Sequence, residues 1–134
     1  MATIKGEYKG HLRNEMTHLQ SGNTIITDAP TDNHGKGEAF SPTDLCCGAL
    51  AACMMTIMGI TAQTHDFDIE GTTYEITKTM ASEPRRIGQI DITFNFPKRE
   101  YTPKQQALLR RAADTCPVGK SLHPDVKVNI TMNF

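Results

Sequence analysis

The chain lacks most of what would point quickly to a function. Its 134 residues carry a formal net charge of −1. Lysine and arginine are spread rather than clustered, so nothing in the charge pattern suggests nucleic-acid binding. The N-terminal Met1-Ala2-Thr3-Ile4-Lys5-Gly6 has no apolar core segment or cleavage site; nothing marks export, and a cytoplasmic location is expected. Internal repeats and low-complexity tracts are absent. No Gly-x-Ser-x-Gly elbow supports a serine hydrolase, and Gly35-Lys36-Gly37 alone is too little for a phosphate-binding loop. There is no Cys-x-x-Cys pair and no histidine pair at ligand spacing, which argues against zinc held with His34, His65 or His123. Neither metal nor cofactor is expected.

What is present fits one soluble domain over residues 1–134, with 38% apolar residues. A domain of this size has a modest core, and self-association would bury more. From Ile4 to Leu19 the apolar residues Ile4, Tyr8, Leu12 and Met16 alternate with charged ones, which predicts a half-buried strand bent at Gly6 or Gly10. Ser21-Gly22-Asn23 reads as a turn and Thr24-Ile25-Ile26-Thr27 as the returning strand. The loop from Asp28 to Phe40 is long and aperiodic, a length that hints at function.

At Ser41-Pro42-Thr43-Asp44 a serine N-cap, a proline at the first helical position and an early carboxylate coincide, so a helix is expected to start there. No charged residue or histidine lies between Asp44 and His65, and apolar side chains fall on every side of the helical wheel, as in a buried helix. A membrane span is disfavoured, because Gly48, Thr56, Gly59, Thr61 and Gln63 interrupt a run that would need about 20 apolar residues. Three further segments alternate with period two: Tyr74 to Met80, Ile90 to Phe96, and Val126 to Phe134. They read as antiparallel strands with one wet side. Pro84 marks a hairpin between the first two, and Thr102-Pro103 opens a second helix that Pro117 stops. The order β-β-α-β-β-α-β is an α+β pattern. One small sheet covers only one side of the apolar helix, so a partner subunit is expected on the other.

Chemistry is concentrated in four cysteines, which a reducing compartment keeps free, catalytic or metal-binding. Cys46 and Cys53 lie on nearly one helical face, but roughly 10 Å apart along the axis. A disulfide needs Cα atoms within about 7 Å, so they cannot pair inside a helix. Cys47 points elsewhere, and a bridge to Cys46 would strain the helix. Any bridge from Cys53 needs a distant partner, and Cys116 is the one other cysteine outside this helix. Cys116 is placed at the end of the second helix, where the dipole opposes a thiolate, so it suits reacting second. Cys53 has no cationic neighbour in sequence and would need one from the fold. Free cysteine also simply packs, the reading favoured for Cys46 and Cys47 and left open for Cys53 and Cys116.

Phe40-Ser41-Pro42-Thr43-Asp44-Leu45, then Ala49-Leu50-Ala51-Ala52-Cys53, and near the other end Cys116-Pro117-Val118, together resemble the OsmC/Ohr family of osmotically inducible and organic hydroperoxide resistance proteins. The closest likeness is to its OsmC-like branch. The resemblance extends over nearly the whole chain. It implies an intertwined homodimer, with central helices sandwiched by sheets, and a thiol peroxidase acting on a hydroperoxide substrate. By similarity Cys53 is the peroxidatic thiol and Cys116 the resolving one, recycled by an external dithiol reductant. Many family members pair an arginine with a glutamate just after the proline of the helix-start motif; here Thr43 stands in that place. Arg13, Lys36 and His34 are candidates for the cation, and Glu38 or Asp44 for the carboxylate that orients it, with Arg13 and Glu38 the pair chosen. The alternative is a non-catalytic module that binds a small molecule while its cysteines only pack.

Overall fold

A computed structural model describes residues 1–134. In chain order it contains β1 (Ile4–Gly10), β2 (Arg13–His18), β3 (Thr24–Asp28), a 3-10 turn (Thr31–Asn33), α1 (Pro42–Thr64), β4 (Thr73–Ala81), β5 (Arg86–Asn95), α2 (Pro103–Asp114), α3 (Pro117–Ser121) and β6 (Lys127–Asn133). The fold is α+β, with one three-stranded sheet ordered β1-β2-β3 and another ordered β4-β5-β6. The chain divides into two compact units, Met1–Cys46 and Cys47–Phe134.

In the first unit, the alternating run from Ile4 to Leu19 is two strands rather than one bent one. The chain reverses at Gly10, His11 and Leu12, whose φ angles are 85°, 52° and 64°. Consecutive positive φ values give a hairpin turn whose twist matches its strands, and glycine enters that region without steric cost. His11 and Leu12 enter it too, against the ordinary preference of side-chain-bearing residues. Apolar alternation continues through this turn unbroken, which is why the sequence pattern conceals it. The next turn forms where Ser21-Gly22-Asn23 places it, with His18 N donating to Asn23 O and Gly22 N to His18 O, both at 2.8 Å. Ile4, Tyr8, Ile25 and Ile26 remain exposed on this sheet, whereas Thr27 and Asp28 at the end of β3 are buried.

The start of α1 is closed by a reciprocal cap. Asp44 N donates to Ser41 Oγ at 3.0 Å, and Ser41 N donates to Asp44 Oδ2 at 3.1 Å. Two amides that the helix leaves unpartnered are satisfied in this way. Asp44, one of the carboxylates considered for an arginine, is thus turned back onto its own helix start.

In the second unit, α1 buries a stripe of Cys47, Leu50, Ala51, Met54, Met58 and Ala62. This three-to-four-residue spacing joins Ile90, Ile92 and Phe94 of β5 and Leu109, Ala112 and Ala113 of α2 in one core. Burial all round is not reached within the chain, since Ile60 is 54% exposed. By length and composition α1 is apolar enough to cross a membrane, yet its stripe is occupied by the chain's own core.

Strands β4 and β5 form the expected antiparallel hairpin around Pro84, but β6 lies parallel to β5, from Gln89 opposite Lys127 to Asn95 opposite Asn133. The connection explains the difference. After β5 the chain crosses through α2 and α3, and such a helical crossover brings the next strand back in the same direction. Side-chain alternation is identical in either direction, so periodicity cannot reveal it. Helix α2 starts where expected, on a capping box between Thr102 and Gln105.

Candidate functional site

Cys53 lies in the middle of α1, beside the buried stripe, and is half-buried against the core. Cys116 is reached from the other end of the unit. Helix α2 ends at Asp114, earlier than Pro117, and Pro117 is instead the first residue of α3, with Cys116 as its N-cap. The sequence-based placement at a helix C-terminus is therefore half the picture: Cys116 stands between one helix end and the next helix start. Its Sγ accepts a hydrogen bond from Gly119 N at 3.2 Å.

The Cys116 thiol is 1% exposed, and this burial is the main influence pushing its pKa up. The Gly119 and Val118 amides pull the other way, and the neighbouring Cys53 thiol adds to the rise. Burial thus favours the neutral Cys116 thiol. Gly119 is packed closely here: a Cβ there would lie 3.3 Å from Cys116 Sγ, a tight contact, and 3.5 Å from Leu50 Cδ1, an ordinary one. None of the four cysteines is in a disulfide; Cys47 is buried in the core, and Cys46 is half-buried. Near neutral pH, iodoacetamide is expected to alkylate Cys53 well before Cys116, measured by mass spectrometry of timed digests; equal rates would contradict the burial argument.

The first unit carries an ionic cluster. Arg13, the first residue of β2, donates from Nε to Asp28 Oδ1 at 2.8 Å and from Nη2 to Asp28 Oδ2 at 2.9 Å. Nη2 also donates to Glu38 Oε2 at 3.0 Å. The hydrogen bond from Arg13 is the leading cause that holds the Asp28 carboxyl below the usual carboxylate range, and Asp28, then Glu38, raise the pKa of Arg13 in turn. Lys36 adds a weaker charge interaction with Asp28, and His34 sits in a left-handed turn.

Of the four site residues expected from sequence, the structure brings Cys53 together with Cys116 and Arg13 together with Glu38; the two pairs belong to different units. Sequence reasoning missed Asp28, assigning it to the loop after β3. The signal was indirect: once a turn is placed at Gly10 to Leu12, Arg13 and Asp28 become register partners at the end of the hairpin. A cavity of about 420 Å³ lies further along the second unit, lined among others by Met55, Ala62, Phe67 and Ile69, and contains neither cysteine. No group of three or more His, Cys, Asp or Glu stands close enough to hold a metal ion.

Two small three-stranded sheets and a set of helices, one of them long and apolar, define an α+β protein. A family model described as OsmC-like protein matches residues 35–131, and the chain belongs to that family. It is similar to the crystal structure of a protein from Psychrobacter arcticus 273-4, named for osmotic stress induction and a detoxification response. The two share 51% identity and a TM-score of 0.95, covering 99% of this chain and 96% of that one. The same fold occurs in an organic hydroperoxide resistance protein OsmC from Legionella pneumophila, at 15% identity, TM-score 0.77, and 100% and 98% coverage. It recurs in the organic hydroperoxide resistance protein OhrB of Bacillus subtilis, at 18% identity, TM-score 0.70, and 99% and 98% coverage. A search of curated proteins returns no match.

Proposed function

We propose that this chain is a cytoplasmic, homodimeric thiol peroxidase that reduces organic hydroperoxides to alcohols. The observation that carries this reading is that a half-buried thiol, Cys53, packs against the core that holds the buried Cys116 and lies near enough to push its pKa up. Family membership and structural neighbours named for hydroperoxide resistance support it.

In the first step the Cys53 thiolate attacks one peroxide oxygen and the O–O bond breaks. The alkoxide leaves and takes up a proton, giving the alcohol, while Cys53 becomes a sulfenic acid. In the second step Cys116 sulfur attacks the Cys53 sulfur; the S–S bond forms, the S–O bond breaks, and the hydroxyl leaves with the Cys116 proton as water. An external dithiol then returns both thiols and is itself oxidised to a disulfide. A resolving thiol that stays protonated until its target is oxidised suits this order, because it does not compete for the peroxide.

Thiolate attack also calls for a cation, to hold the thiolate and polarise the O–O bond. The reading assigns that role to Arg13, with Glu38 as its carboxylate partner. Where many relatives have a glutamate after the helix-start proline, Thr43 here approaches Ser41 Oγ at 3.2 Å, and Glu38 makes the contact to arginine. Exposed apolar side chains on the first sheet and at Ile60 of α1 support a second copy as their cover.

The test is mass spectrometry after one equivalent of cumene hydroperoxide without reductant. A Cys53–Cys116 disulfide, formed with release of one equivalent of alcohol, is the expected product. Unchanged thiols would instead favour a module that binds a small molecule without chemistry.

A further inference from the structure

We propose that Asp28 is the positioning residue of Arg13: it fixes the guanidinium so that Nη1 is the end left to meet a peroxide oxygen. The inference rests on the reading of Arg13 as the activating cation.

The register places Asp28, the last residue of β3, directly opposite Arg13, the first of β2. Asp28 is only 2% exposed. Its two carboxylate oxygens take Nε and Nη2 in parallel, the fork geometry that stops a guanidinium plane from turning. The same residue shapes the segment carrying Glu38. The Asp28 carboxylate accepts from the Glu38 backbone N–H, and Asp28 N donates to Phe40 O at 3.1 Å.

Glu38 holds Arg13 much more loosely. Its side chain is 62% exposed, and it meets the guanidinium through Nη2, a nitrogen Asp28 already engages. Exposed ion pairs constrain little, because solvent and side-chain freedom compete with them. Both carboxylates therefore act on one edge of the guanidinium, and Arg13 directs no hydrogen bond to protein from Nη1. Asp28 decides where that free edge faces, and Glu38 adds charge balance from the solvent side.

The experiment compares wild type, Asp28→Asn and Glu38→Gln in the full chain. With tert-butyl hydroperoxide and excess dithiothreitol, Asp28→Asn is expected to lower kcat/KM by about ten- to a hundredfold, the scale of a misaimed catalytic group. Glu38→Gln is expected to lower it less. A structural defect alone could slow turnover, so the second readout is the Arg13 Nε–H resonance in 15N NMR, identified by its loss in Arg13→Lys. It should be protected from solvent exchange in wild type and Glu38→Gln, and exchange rapidly in Asp28→Asn.

Asp28→Asn with wild-type kcat/KM and a protected Nε–H overturns the proposal. If wild type itself reduces no hydroperoxide, the peroxidase reading fails, while the NMR comparison still decides whether Asp28 holds Arg13. Should Asp28→Asn not fold, Asp28→Glu keeps the charge and displaces the guanidinium by one methylene; unchanged kcat/KM in that variant overturns the proposal equally.

Discussion

Replacing Cys53 by serine is expected to reduce hydroperoxide consumption to the rate of dithiothreitol alone, a loss on the order of a thousandfold or more. The change removes one sulfur and little else. A serine hydroxyl is scarcely ionised near neutral pH, and its oxygen cannot accept a second oxygen from the peroxide, so neither the first step nor the disulfide that follows is available. Because the side chain is half-buried beside the core stripe rather than within it, the thermal unfolding curve should hardly move. The measurement is peroxide remaining against time with reductant in excess. More than a tenth of wild-type activity in Cys53→Ser would locate the reacting thiol elsewhere, with half-buried Cys46 the next to substitute.

The second large effect is on stability. Leu50→Ala should cost about 3 kcal/mol, a central value for deleting a fully buried leucine side chain and leaving a cavity. Leu50 is 0% exposed and lies in the stripe that joins α1 to β5 and α2. For a chain of this length the melting temperature should fall by roughly 10 °C, followed by far-ultraviolet circular dichroism. Leu50 also walls the first turn of α3 near Gly119, so recycling through Cys116 should slow even well below the melting point. A melting temperature within about 2 °C of wild type would mean that this stripe is not the core.

Features set by local chemistry were legible in the sequence, and features set by distant partners were not. Ser41-Pro42-Thr43-Asp44 and Thr102-Pro103 announce helix starts because the capping groups sit within three residues of the amides they satisfy. The Ser21-Gly22-Asn23 turn is equally local. The reversal at Gly10 to Leu12 was hidden because His11 and Leu12 are poor indicators of a left-handed turn and the apolar alternation runs straight across it. The direction of β6 was hidden because a period of two carries no sign. At the site, helical geometry separates Cys53 from Cys46, but the approach of Cys116 to Cys53 depends on how α1 meets the α2–α3 junction, a tertiary matter. Asp28 was lost for the same reason as the turn: with Arg13 placed inside a longer strand, its register partner could not be read.

The junction between α2 and α3 has a mechanical consequence. A bond from Cys116 to Cys53 would staple that junction to the middle of α1, closing a covalent ring of about sixty residues through β4, β5 and α2. By chain-entropy reckoning such a ring disfavours the unfolded chain by about 4 kcal/mol. Oxidation would then leave a molecule harder to open than the reduced one. Resistance to proteases would report which of the two states the protein occupies.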